Sequence, residues 1–318
     1  METNVSHRLS GCKILITGAS GFLGSHLARK IHGLGADVYG TSRTYRRTSP
    51  FVNRWAQLDL LDRDALQDFI DRVKPDVLFH LAGHATAAPD RNLVLPTFQS
   101  LLLSTVNLLM AIRNGNCGRV VLIGSLTEPL PAREEVLAGS PYAAAIFSSS
   151  LYGRMFHGLY GVPVVIARPF MVYGPGQDPR KLIPYVTTSF LDKKAPRLSN
   201  GALEADWIYI DDVIQGLIAM VDTPGLEGTT FDLGSGTLTS VRNIVHHLIA
   251  LTGTQIVPMF GALPDRPKEQ VRIAKLEQAA LRLDWKPTVS LVQGLQHTVA
   301  WIRQQRTELA QVVGTTVS

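Results

Sequence analysis

Three glycines at fixed spacing, Gly18-Ala19-Ser20-Gly21-Phe22-Leu23-Gly24, constrain this chain more than any other feature. They follow an apolar run, KILIT at 13–17, and open a helical pattern at 25–34. A strand, a glycine turn and a helix in that order let a backbone approach a linked pair of phosphates. Gly18 and Gly21 allow the turn and the close approach. Gly24 lets the helix pack on the strand, and the open N–H groups of the first turn favour an anion. An ordinary glycine turn is the bland alternative, and the strand before and helix after argue against it.

The rest of the chain continues the alternation. Short β-branched runs at 37–41, 55–60, 76–81, 119–123 and 162–167 read as buried strands. Between them, 64–73, 105–113 and 142–160 have helical spacing, for instance Leu66, Phe69, Ile70 and Val73. Alternating strands and helices predict an α/β fold: a Rossmann-type, doubly wound parallel sheet. From about residue 170 the pattern is less regular, with strands at 207–210 and 229–233 and helices at 213–220 and 241–251. This predicts a smaller, partly interleaved C-terminal substrate domain. The expected division is 11–170 for dinucleotide binding, with 207–234 returning to it; 171–206 and 235–305 for substrate; and flexible ends at 1–10 and 306–318.

With 45% hydrophobic residues among 318, the chain can bury a large core. Its net charge of +5 is a mild excess; the local cluster Arg43, Arg46 and Arg47 stands out more. That cluster reads as a solvated loop or an anion site. It lacks interleaved aromatics beyond Tyr45, so a nucleic-acid partner is not expected. Cys12 and Cys117 have no metal-ligand or disulfide spacing, and no metal site is expected. The first ten residues lack the apolar run of a signal peptide, and runs such as 162–167 are far too short to span a bilayer. The expectation is a cytoplasmic protein without a membrane partner.

An NAD site usually carries an acid about 20 residues after the glycines, at the end of the second strand. Here that stretch is Tyr39-Gly40-Thr41-Ser42-Arg43, with no acid. Ser42 and Arg43 can hydrogen-bond and neutralise a 2′-phosphate, so NADP is expected ahead of NAD.

The sequence resembles the extended short-chain dehydrogenase/reductase family of nucleotide-sugar epimerases, dehydratases and ketoreductases. The resemblance runs over about residues 12–303 and rests on TGASGFLGSHL (17–27), Asp59-Leu60, HLAG (80–83), VVLIGS (120–125), PY (141–142), RPFMVYGPGQ (168–177), DWIYIDDV (206–213) and GLQHTVAWI (294–302). It implies that Gly18, Ser20, Gly21, Phe22, Leu23 and Gly24 hold the pyrophosphate. It also implies that Asp59 and Leu60 flank the adenine, and that Leu81, Ala82, Gly83 and Pro169 lie along the nicotinamide side. Tyr142 becomes the acid–base group, also touching cofactor, with Ser125, or Thr127 in its place, on the same substrate oxygen. His84, Met171, Lys181, Leu182 and Arg266 fall on the substrate side. A homodimer through the helices at 90–113 and 142–160 is also implied.

Some positions depart from that pattern. The family's lysine four residues after the tyrosine is Ile146 here. A lysine there shares a helix face with the tyrosine, holds the nicotinamide ribose and lowers the phenol pKa by its charge; isoleucine does neither. Met171 stands where an asparagine is usual, Ala205 where an arginine is, and Asp232 where an asparagine is. The expected function is therefore an NAD(P)-dependent oxidoreductase, epimerase or dehydratase acting by hydride transfer on a nucleotide-linked sugar or a similar ketone or alcohol. The alternative is a catalytically impaired or non-catalytic dinucleotide-binding relative.

Overall fold

A computed structural model describes residues 9–44, 49–113, 115, 117–129, 138–265 and 271–315. The described chain divides into two compact units. The first comprises residues up to Pro169, then Ile214–Leu233 and Leu276–Lys286; the second comprises Phe170–Val213, Gly234–Lys275 and Pro287 onward.

The first unit is built on seven parallel strands. In chain order they are β1 (Lys13–Thr17), β2 (Asp37–Ser42), β3 (Arg54–Gln57), β4 (Val77–His80), β5 (Arg119–Ile123), β6 (Val164–Pro169) and, later, β9 (Thr230–Leu233). They are arranged β3-β2-β1-β4-β5-β6-β9. The chain first builds outward from β1 to β3, then returns to lay β4 on the other side of β1. This reversal creates a crevice at the carboxyl ends of β1 and β4. The register aligns those ends, with Thr17 opposite both Thr41 and His80.

Four helices of this unit matter for the site. The glycine turn leads into α1 (Phe22–Gly33), whose Leu27, Ala28 and Ile31 are buried. α2 (Arg63–Val73) starts where the Asp62 carboxylate accepts the Ala65 amide and buries the four apolar residues read from its spacing. α3 is a continuous helical stretch, Arg91–Ile112, with a π-helical turn at Phe98–Leu103. α4 (Pro141–Tyr160) is capped by Ser140 at its start and by Gly161 in left-handed conformation at its end.

Several expectations are corrected. Spacing places a helix only at 105–113, but it begins at Arg91, as the family resemblance implies; Pro96 is the third residue of the α-helical turn that starts at Val94, where an N–H has no intrahelical partner to lose. α3 is long and apolar enough, by length and composition, to cross a membrane, contrary to the reading that no run was. Its Leu101, Leu108, Leu109 and Ile112 are buried in the first unit, while Val94, Leu95 and Phe98 are exposed. The expected return of 207–234 starts instead at Ile214, because 207–209 belong to another sheet. A third segment also returns. Residues 276–286, expected with the substrate domain, carry the short helix α8 (Glu277–Leu283), which contacts β9.

The second unit holds a three-stranded sheet, β7 (Met171–Tyr173), β8 (Glu204–Tyr209) and β10 (Leu238–Ser240), with β8 central. Its helices are α5 (Leu182–Leu191), α7 (Val241–Thr252) and α9 (Leu291–Thr315); α6 (Ile210–Asp222) contributes only its first residues. Two buried carboxylates staple it. Asp206 accepts the amides of Ser235, Gly236 and Ala274 at 2.6–3.0 Å, and Asp212 those of Thr288 and Val289 at 2.9 and 3.1 Å. The flexible end expected from 306 is helical to Thr315, and Arg306 pairs with Asp192.

Candidate active site

The glycine loop is shaped by contacts that a Cβ would destroy. Gly18 has φ +73°, and a Cβ there would lie 2.8 Å from the Ala82 amide nitrogen. At Gly24 a Cβ would lie 2.1 Å from the Gly18 carbonyl oxygen, so helix and turn pack backbone to backbone. Gly21 is the N-cap of α1 and no side chain caps its amides; no acid stands in the first turn. The first-turn N–H groups of Phe22, Leu23 and Gly24 are thus left to an anion, and the cradle fits a pyrophosphate. Ser20 is exposed beside it.

The neighbouring strand ends complete this side. Ser42 closes β2, and Arg43 follows, exposed, its carbonyl held by the Gln57 side chain at 3.2 Å. Arg46 and Arg47 lie outside the described residues. Asp59 turns the chain by accepting the Leu61 amide, and the buried Asn107 amide donates to the Leu60 carbonyl at 3.0 Å. After β4, the Leu81 and Ala82 amides bond to the carbonyl and hydroxyl of Thr17. His80 is buried between the hydroxyls of Thr17 (2.7 Å) and Thr105 (3.0 Å), and burial pushes its pKa down to about 4.

Ser125 follows β5. Its hydroxyl lies 2.9 Å from that of Thr127, and Tyr142, near the start of α4, feels it electrostatically. Burial raises the Tyr142 pKa, the Ser125 hydroxyl opposes this, and the Glu128 carboxylate raises it further. Ile146, one turn on, is buried with Leu101 and Ala145, and Tyr142 packs against the three. Pro169, buried, ends β6. The first unit thus brings together the glycine loop, the 81–83 strip, Ser125, Thr127, Tyr142 and Ile146. Leu101 links them: a Cβ on Gly83 would lie 2.2 Å from its Cδ2.

The residues that sequence reading missed are mostly beneath this surface. Glu128 is 2% exposed and accepts from the Ser125 amide (2.9 Å) and the Ser150 hydroxyl (3.0 Å). Arg168 lies 3.6 Å from Glu128 and 3.3 Å from Asp232. Arg168 opens the RPFMVYGPGQ run and Glu128 is only three residues from Ser125; a largely buried carboxylate needs such a cationic partner.

The substrate-side expectations divide. His84 belongs to the first unit, exposed, its amide donating to the Ser100 hydroxyl at 3.3 Å. Met171, Lys181 and Leu182 belong to the second. Met171 pairs with Trp207 in the small sheet, and Lys181 is the N-cap of α5, which Leu182 begins. Arg266 lies outside the described residues.

A parallel sheet in this order, with a glycine-opened helix at its reversal point, defines a Rossmann-type dinucleotide-binding protein. The sequence matches the NAD dependent epimerase/dehydratase family over residues 14–234, and the chain belongs to that family of enzymes, within the extended short-chain dehydrogenases/reductases. It is 29% identical to a UDP-glucose 4-epimerase of Mycolicibacterium smegmatis, over 92% of this chain and 99% of that one. A dTDP-glucose 4,6-dehydratase of Streptomyces niveus is 28% identical over 92% and 94% of the two chains. The solved UDP-glucuronic acid 4-epimerase of Bacillus cereus, in complex with UDP-glucuronic acid and NAD, superposes with a TM-score of 0.82 at 26% identity, covering 92% of this chain and 99% of that chain.

Proposed function

We propose that the protein transfers a hydride between a nicotinamide dinucleotide held on the glycine loop and a nucleotide-linked sugar. Tyr142 exchanges a proton with the reacting oxygen, and Ser125, backed by Thr127, hydrogen-bonds the same oxygen. The observation that carries this reading is the Ser125–Thr127 hydroxyl pair, coupled electrostatically to Tyr142, in the same unit as the Gly18–Gly24 cradle. The nicotinamide, when bound, supplies or accepts the hydride. The chain's own residues hold the dinucleotide through first-turn amides, place its ribose along Leu81, Ala82 and Gly83, and keep its adenine between Asp59 and Leu60. The first unit serves the cofactor. The second, with Met171, Lys181, Leu182 and Arg266, serves the substrate.

For the cofactor, the family description and the Bacillus cereus complex both name NAD, which shifts the balance from the expected NADP. The end of β2 still carries no acid to repel a 2′-phosphate, and Arg43 stands where it attracts one. The site takes NAD and accepts NADP as well. Nucleotide sugars and these coenzymes are cytoplasmic pools, which sets the compartment this reading implies. Val94, Leu95 and Phe98 on α3 and Leu151, Tyr152 and Leu159 on α4 are 41–69% exposed. Such an apolar surface supports a homodimer, which light scattering on the purified chain tests directly.

A second reading, binding without turnover, is favoured by Ile146, along with Met171 and Ala205. Incubating UDP- and dTDP-hexoses with each coenzyme and following nicotinamide absorbance and sugar NMR decides between the two. The proposal expects coenzyme-dependent conversion that Tyr142→Phe abolishes. Coenzyme binding with no change in any sugar nucleotide supports the second.

A further inference from the structure

Leu101 links Gly83 on one segment to Ile146 and Tyr142 on another. Gly83 is exposed on the strip after β4, yet it has no room for a methyl group, because Leu101 Cδ2 occupies that space. Leu101 sits in the π-helical turn of α3, and its carbonyl accepts hydrogen bonds from the hydroxyls of Thr105 and of Ser149 on α4. A π turn leaves a carbonyl without its ordinary helical donor, and such turns recur at functional sites. Here the two hydroxyls fix the turn so that Leu101 reaches Gly83 on one side and Ile146 on the other. Leu101 and Ile146 are 5% and 4% exposed, and Tyr142 packs against them.

We infer that Leu101 and Ile146, with Gly83 packed behind Leu101, form one coupled apolar wall against Tyr142, and that this wall holds Tyr142 as the protonated phenol near neutrality, so that the site gives a proton to its substrate far more readily than it takes one. The inference deepens the proposed function and rests on it for the identity of the reacting oxygen. A phenol is ionised near neutrality only when a positive charge or strong donors favour the anion. The wall supplies neither, and the charge that reaches Tyr142 is the anionic Glu128. The chemistry that suits such a group is reduction of a carbonyl. The C=O π bond breaks, a hydride from a reduced nicotinamide forms the new C–H bond, and the Tyr142 proton forms the O–H bond. The phenolate left behind is reprotonated by water. The wall also gives Gly83 a reason to be glycine without a turn.

Phenolate absorbance tests this on the full chain, with Tyr142→Phe subtracted to isolate one tyrosine. A Tyr142 midpoint above about 10, the value of an unperturbed tyrosine, supports the inference. A midpoint at or below that value overturns it. Ile146→Lys breaks the wall with a charge and should lower the midpoint by about one unit or more; an unmoved midpoint counts against the wall. Coupling is read from melting temperatures. Gly83→Ala should cost about 3 °C or more in the wild type and less than half that in a Leu101→Ala background, where the methyl finds room. Equal losses in the two backgrounds overturn the coupling, and if Gly83→Ala does not fold, the titration still decides. NADH fluorescence on the same preparation separates the two levels: absent binding sinks the proposed function, whereas binding with a low Tyr142 midpoint sinks this inference alone.

Discussion

The Glu128 carboxylate, buried beneath the site, accepts the Ser125 backbone amide at 2.9 Å and thereby sets where the Ser125 hydroxyl lies. The same oxygen takes the Ser150 hydroxyl at 3.0 Å, tying the loop after β5 to α4. Glu128→Ala leaves Arg168 buried with Asp232 alone and should cost about 3–5 kcal/mol, as breaking a buried ion pair does. Glu128→Gln keeps an acceptor for Ser125 and should cost less, about 1–3 kcal/mol. Urea unfolding checks both, and Gln should also lower the Tyr142 midpoint, since Glu128 raises it.

Tyr142→Phe should reduce turnover by about two to four orders of magnitude, the usual worth of a positioned acid or base. Coenzyme affinity should change little. In the wild type, the rate of carbonyl reduction should be flat from neutral pH into the alkaline range, because the raised Tyr142 pKa keeps the phenol protonated there. Alcohol oxidation, which needs phenolate, should rise about tenfold per pH unit below that pKa. Rate profiles in both directions on one substrate pair check this.

Under the proposed function, Arg43 should govern the choice of coenzyme. NAD and NADP should bind within about tenfold of each other, and Arg43→Asp should weaken NADP by a further tenfold or more while sparing NAD, through charge repulsion of the 2′-phosphate. Fluorescence titration with NADH and NADPH measures the ratio. An unchanged ratio places the ribose elsewhere.

His80 makes the fold sensitive to acid. Its folded pKa, about 4, lies below the ordinary 6.5 because it is buried. Between those values the unfolded chain binds more protons than the folded one, so stability rises with pH. Stability contributed by neutral His80 is complete above about 6.5 and is lost as pH falls toward 4, a change of about 3 kcal/mol. The loss should appear as a falling urea midpoint between pH 7 and pH 4.5, and His80→Asn should flatten that slope.

The strands and the cofactor cradle were legible because their causes are local. KILIT buries on both faces, and Gly18 and Gly24 are dictated by contacts within a few residues and with the adjacent strand end. The extent of α3 was not legible in residue spacing and came only from the family resemblance, since Pro96 and Ser100 mask its helical start and the π turn depends on Ser149 from another helix. Leu101 and Glu128 were missed for the same reason. Their partners, Gly83 and Arg168, are remote in sequence, and nothing in spacing marks a contact made only by tertiary packing. The boundary near 207 was misplaced because β8 has the same apolar pattern as a strand of the central sheet, while its pairing with β7 and β10 is set by topology.

The central claim is that open amides at the start of α1 hold the linked phosphates of a nicotinamide coenzyme. Calorimetric titration of the purified chain with NAD and with NADP tests it most directly. The account predicts saturable association of one coenzyme per chain. Heat signals indistinguishable from dilution for both coenzymes, at concentrations up to the millimolar range, would contradict it.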